Sequence, residues 1–171
     1  WGWAKQGGHH SNYPWKNVKN ANARRFASLT NPMWVPAMAF TIMKRQCKEF
    51  RWHDSGDLQS VEHFVLLCKV ANVMPNTTFW LPTREYGIIK SYIQAGGIIP
   101  KNLIVRLSAM YPDEKVILPT SLRGVKNVTT SNVHTKYSPD LGTECQATKN
   151  DGKCNTCRLC WTETPVTYGL H

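Results

Sequence analysis

The sequence has no apolar run as long as the roughly 18 residues a membrane-spanning helix needs, and no charged-then-apolar leader opens it. Neither a membrane span nor a signal peptide is expected. G-x-G-x-x-G and G-x-x-x-x-G-K-[ST] are both missing, which removes the common nucleotide-binding fingerprints. The G-x-S-x-G elbow is also missing, so a Ser-His-Asp hydrolase is unsupported. There is no internal repeat, low-complexity tract or domain linker. Acids are scarce: 11 Asp and Glu stand against 21 Lys and Arg. Position 1 is Trp rather than Met, so an origin inside a longer product is one expectation.

What is present suits a single domain spanning 1–171, 42% hydrophobic and 19% charged, which makes wholesale disorder unlikely on composition. The net charge of +10 is uneven. Residues 1–50 hold eight cations and one acid, residues 51–100 four of each, and residues 101–171 nine cations and six acids. Such an excess favours nucleic acid, another polyanion or an anionic surface; a solvated basic surface without a partner is the plainer alternative. Trp1, Trp3, Tyr13 and Trp15 lie among Lys5, Lys16 and Lys19, together with His9 and His10. Aromatics between cations stack on bases while the cations take phosphates, although core packing accounts for most tryptophans. The candidate nucleic-acid residues are Trp3, Lys5, Trp15, Lys16, Lys19, Arg24 and Arg25.

Three strand-then-helix units occupy residues 48–110, between a basic helical part (1–47) and an irregular one (111–171). The strands are read at Lys48–His53, Thr77–Leu81 and Leu103–Leu107. Between them lie helices at Ser60–Val73, opened by a capping Ser60, and at Arg84–Ala95, closed by Gly96-Gly97. This pitch is that of a parallel β-α-β succession. Upstream, a helix is expected over 17–29 and another from an Asn31-Pro32 start through Ile42. Downstream, Val116–Leu118 and Val125–Thr130 read as short strands and residues 136–171 mostly as loop. The expected class is α/β, a partial parallel β/α barrel-like sheet; a full eight-unit barrel needs roughly 200–250 residues.

Cys145, Cys154, Cys157 and Cys160 form C-x8-C-x2-C-x2-C in a segment poor in hydrophobics. Thiolates so dense in a loop suit a metal, which supplies the folding energy that burial does not. Iron–sulfur cubanes commonly take three ligands from C-x2-C-x2-C and a fourth from elsewhere, which favours [4Fe-4S]; four-thiolate Zn2+ is the alternative, and paired disulfides the third reading. Cys47 and Cys68 read as buried small hydrophobes on helices.

The run Phe50-Arg51-Trp52-His53-Asp54-Ser55-Gly56-Asp57 ends a strand in polar side chains, and the next two strands end at Thr83-Arg84 and Ser108. In parallel α/β folds the carboxyl ends of strands carry the ligand site. His53, Asp54, Asp57, Arg84 and Ser108 are therefore candidate catalytic or ligand residues, with turn-making and helix capping as the alternative for Asp54, Ser55 and Asp57.

FRWHDSGDLQS (50–60), FWLPTRE (79–85), LIVRLSA (103–109) and CNTCRLCW (154–161), in this order and spacing, resemble the bacteriophage gene product 88 family from Asn17 onward. The resemblance implies a phage or prophage protein in the cytoplasm of an infected bacterial host. At the level of fold the succession also resembles a reduced radical S-adenosylmethionine barrel. Two departures stand out. Where relatives carry upstream cysteines ending in a C-Y-A-like motif, this chain has Gly2-Trp3-Ala4-Lys5, and the radical signature C-x3-C-x2-C is absent. The leading functional reading is a metal-binding phage protein that binds or acts on nucleic acid or a nucleotide-like ligand. The alternatives are an iron–sulfur enzyme with a small ligand at the strand ends, and an inhibitor that docks a host protein.

Overall fold

A computed structural model describes residues 15–53 and 56–170, apart from the side chains of Trp15 and Lys16. Trp3, Lys5 and Asp54 lie outside the described residues. The chain divides into two compact units, residues 1–34 and 35–171. In the first, helix α1 (Trp15–Ser28) contains no acid and closes with Arg25 in its last turn, the favourable end for a cation. Ser28 Oγ donates to the Arg25 carbonyl at 2.6 Å and satisfies one of its terminal acceptors.

Helix α2 (Trp34–Lys44) leads into the second unit. Asn31 Oδ1 accepts from the Met33 N–H at 2.8 Å, the bond of an Asn cap followed by Pro32, and the regular helix begins one residue later at Trp34. The next elements are β1 (Glu49–Arg51), α3 (Val61–Val73), β2 (Thr78–Thr83), α4 (Tyr86–Gln94) and β3 (Leu103–Ser108). Then come β4 (Val128–His134), β5 (Thr143–Glu144) and β6 (Val166–Gly169). Ser60 caps α3, its Oγ accepting from the His63 N–H at 3.1 Å. Gly96, at φ +82°, takes the left-handed conformation just past α4 that a side chain would resist.

Every strand pairing is parallel, in the order β1-β2-β3-β4-β6-β5. The steps β1 to β2 to β3 run in one direction, and right-handed crossovers then put α3 and α4 on one side of the sheet. This is a six-stranded parallel half-barrel. The register aligns Phe79 with Leu103, Leu81 with Val105 and Thr83 with Leu107 on a shared face. All five of the apolar residues among these are wholly buried, as are Phe64 and Leu67 of α3 and Ile89 of α4. Each such side chain contributes about 1.5–3 kcal/mol relative to exposure, so this layer is the core. Asn102 stitches its edge, Nδ2 donating to the Ala71 carbonyl at 2.9 Å and the Thr77 carbonyl at 2.8 Å.

Two expectations are corrected, the strand at Val116–Leu118 and the helical placement of Cys47. Val116–Leu118 is not a strand, because the Val116 N–H is taken by Asn132 Oδ1 at 3.0 Å rather than by a neighbouring strand. Residues 136–171 are mostly loop, and within them β5 and β6 extend the sheet. At two and four residues, these strands are too short to display alternation. Gly142 permits their approach: a Cβ there would sit 2.8 Å from the Pro165 backbone, and its φ is +115°. Cys47 follows α2 rather than lying on a helix, whereas Cys68 is buried in α3, where burial pushes its thiol up to about 12.

Candidate functional site

The second face of the sheet carries Arg51, Trp80 and Arg106, the residues whose register positions alternate with the core layer. The cysteine-bearing segment lies across this face. The Trp161 indole meets Trp80 edge-on at 5.3 Å and donates Nε1–H to the Phe50 carbonyl at 3.3 Å. The Arg51 guanidinium sits 4.8 Å from the Trp80 ring centroid, and Arg158 Nε pairs with Glu49 Oε1 at 3.1 Å.

Within this segment the backbone sets the thiol positions. The Cys145 N–H donates to the Thr167 carbonyl at 2.8 Å, which fixes Cys145 beside β6. The Cys157 N–H donates to the Cys154 carbonyl at 2.8 Å, closing a turn that contains Asn155 at φ 48°. Arg158 Nη1 spans the Asn155 and Cys157 carbonyls at 2.8 Å each. A short 3₁₀ turn, Leu159–Trp161, then brings in Cys160. Cys145, Cys154, Cys157 and Cys160 all line one cavity of about 30 Å³, with Lys153, Trp161 and Val166 among its other walls. Cys160 is buried, Cys145 half-buried, and Cys154 and Cys157 are exposed. All six cysteines are free thiols. Among the described residues, no three His, Cys, Asp or Glu side chains are placed to hold a metal ion as they stand. Burial raises the Cys160 thiol, opposed by its contact with the Tyr168 hydroxyl at 3.3 Å and by the charge of Arg106.

Arg106 is the largest wholly buried side chain, and it anchors the same segment. Nη1 donates to the carbonyls of Thr130 at 2.7 Å and Thr164 at 2.9 Å. Nη2 reaches those of Leu159, Cys160 and Thr162 at 3.4, 3.3 and 2.9 Å. Its Nε has no hydrogen-bond partner, and no carboxylate forms an ion pair with it among the described residues. Burial pulls its pKa below the usual value, and neighbouring Tyr168 and Cys160 oppose that. An arginine stays charged under almost all conditions, so a positive charge is held beside the cysteine cavity with only neutral acceptors. The sequence signal was present in Leu103–Ser108, where one cation interrupts an apolar strand. Trp161 and Tyr168 were likewise not singled out, and nothing in their local sequence separates them from ordinary core aromatics.

The strand-end residues take different positions. Asp57 cross-links two loops: Oδ1 accepts from Thr83 Oγ1 at 2.5 Å and the Leu58 N–H at 2.7 Å, and Oδ2 from the Arg84 N–H at 2.7 Å. Both oxygens are thus engaged in holding structure. Arg84 meets Asp57 through its backbone, and its side chain is exposed. His53, in the left-handed region at φ 53°, lies 5.5 Å from the His63 ring. Burial lowers both imidazoles, His63 to about 4, and Asp57 opposes this in each. Ser108 turns to the other face, where its Oγ is 3.1 Å from Ser131 Oγ. Replacing Asp57 with Ala is expected to cost about 1–3 kcal/mol, the price of leaving buried donors unpaired. An unchanged urea midpoint would contradict that role.

On α1, Lys19, Arg24 and Arg25 are exposed, while the side chains of Trp15 and Lys16 lie outside the described set. Among the described residues no helix is long and apolar enough to cross a membrane. No curated protein and no solved structure matches the chain. The family model of gene product 88 does match, over residues 8–163, and the protein belongs to this bacteriophage family.

Proposed function

We propose that this phage protein carries a metal centre on Cys145, Cys154, Cys157 and Cys160, and that it works on nucleic acid or a nucleotide-like ligand inside the infected cell. The observation that carries the metal reading is the shared cavity: four free thiols, spread over sixteen residues of sequence, line the same small space. The buried guanidinium of Arg106 is a second support. Metal-bound thiolates carry negative charge, and a cation in a poorly solvated interior stabilises negative charge nearby. The quartet is not gathered as a single-ion shell. Metal binding would therefore draw the exposed Cys154 and Cys157 inward. A bound metal would supply on the order of 10 kcal/mol to ordering this segment. C-x2-C-x2-C with a distant fourth cysteine favours an iron–sulfur cluster over zinc.

Anaerobic purification followed by a visible spectrum and analysis for iron, sulfide and zinc tests this reading. A brown protein with iron and sulfide is the expected result. A colourless protein with one zinc would keep the site and replace the cofactor, and a metal-free protein after reconstitution with either metal would overturn it.

The nucleic-acid part rests on α1, whose Lys16, Lys19, Arg24 and Arg25 have no acid among them. Changing these four to Ala is expected to weaken binding to RNA or DNA and to lower the slope of log affinity against log salt by up to about 3. Equal binding by parent and variant from low to high salt would remove this part of the proposal.

A further inference from the structure

Helix α2 is apolar nearly all round: of its eleven residues only Thr41 and Lys44 are polar. A helix of that composition is normally enclosed on every side. Here only Ile42 is buried, while Phe40 and Met43 are 60% and 61% exposed. Opposite them, Val73 at the end of α3 is 60% exposed. Between the two helices runs a groove of about 750 Å³, floored by Cys47, Met74, Pro75 and Thr77. The floor is fixed, with Thr77 Oγ1 donating to the Cys47 carbonyl at 3.0 Å and the Thr78 N–H to the Lys48 carbonyl at 2.8 Å. Its walls are pliable, because methionine adapts to varied apolar partners.

The rim carries a sign. Lys48 lines the groove, Lys44 and Arg45 are exposed in the chain between its lining residues Met43 and Gln46, and no Asp or Glu occurs before Glu49 in the whole sequence. Glu49 itself is paired with Arg158. An apolar trough with a purely cationic margin is complementary to an apolar stripe with an anionic margin. At 1.5 Å per residue, α2 presents roughly 16 Å of wall, enough to face about three turns of a second helix.

We propose that this groove docks an acidic amphipathic helix of a partner protein, its apolar residues spaced three and four apart and its flanks bearing Asp or Glu. The site is separate from the cysteine cavity and does not depend on a metal.

The probe is a fluorescein-labelled helical peptide with leucine and phenylalanine at three-and-four spacing and glutamate on both flanks, titrated with the full chain. Its counterpart has lysine in place of every glutamate. The acidic peptide is expected to bind and to weaken as salt rises, and the lysine peptide to bind at least tenfold more weakly. Phe40→Asp with Met43→Asp should abolish binding while leaving the thermal midpoint unchanged, since both side chains are exposed. Lys44→Glu, Arg45→Glu and Lys48→Glu together should transfer the preference to the lysine peptide, a reversal that mere loss of folding does not produce. Equal binding of the two peptides, binding indifferent to these substitutions, or no binding at all would overturn the proposal. So would sedimentation showing a dimer that the Phe40 and Met43 changes dissolve, because the occupant would then be a second copy of this chain.

Discussion

Cys157→Ser is expected to lose nearly all bound metal and to loosen residues 145–161, while the β-α units from β1 to β3 stay folded. The thiol is exposed and makes no hydrogen bond among the described residues, so the substitution disturbs little packing. Its effect in a metal-free chain should lie within about 0.5 kcal/mol, the range of ordinary surface changes. With metal present the loss is far larger, because binding on the order of 10 kcal/mol is shared among four thiolates that act together. Amide exchange separates the two situations. Protection at 145–161 should fall in the variant, whereas Leu103, Val105 and Leu107, wholly buried in the central strand, should keep theirs. Cys68→Ala serves as the control, because Cys68 is buried on α3 against the core and does not line the cysteine cavity. It should cost stability and leave metal content intact. Full metal occupancy in the Cys157 variant, or its loss in the Cys68 variant, would contradict the assignment.

The legible part of this fold was what short-range chemistry announces. Ser60 at the start of an apolar 3-4 pattern, and Gly96 at the end of another, marked the limits of α3 and α4 to within two residues. The β-rich runs around Phe79 and Leu103 marked strands, and their spacing implied parallel pairing. The short strands β5 and β6 were not legible, because they exist only through pairing with each other and with β4. The strand-end cluster was legible in part. Asp57 was read both as ligand and as turn-maker, and its two oxygens are taken up by loop groups. Ser108 follows Leu107, which is aligned with Thr83, and the two-residue period of a strand sends neighbours to opposite faces. Strand-end location alone therefore does not bring Ser108 together with Asp57. The cysteine spacing singled out one segment, and the four thiols line one cavity there without forming the shell of a single ion.

Arg106→Met is expected to be the most damaging single substitution in the second unit, lowering stability by about 3–5 kcal/mol. The guanidinium takes carbonyls from Thr130 on β4 and from Leu159, Cys160, Thr162 and Thr164 in the covering segment, so one side chain joins the sheet to the strap that crosses it. Hydrogen bonds from a charged donor contribute about 1.5–3 kcal/mol each. Desolvating the charge offsets much of that sum, and what methionine leaves behind is five carbonyls without this donor; each one that water does not reach costs about 1–3 kcal/mol, which together gives about 3–5 kcal/mol. Methionine fills similar volume, so the loss reports unpaired carbonyls rather than a cavity. Lysine keeps the charge but lacks the planar fork, and Arg106→Lys should fall between the two. Three measurements follow. The urea midpoint should drop in the order parent, Lys variant, Met variant. Fluorescence should shift to the red as Trp161 leaves its contact with Trp80. Where metal is bound, chelator should strip it faster from both variants, and fastest from Met, because the segment bearing Cys160 has lost its anchor and the centre its counter-charge. A Met variant with the parent's midpoint and the parent's metal retention would show that Arg106 is a passenger in the interior, and the account of the covering segment would have to be rebuilt on Trp161 and β6 alone.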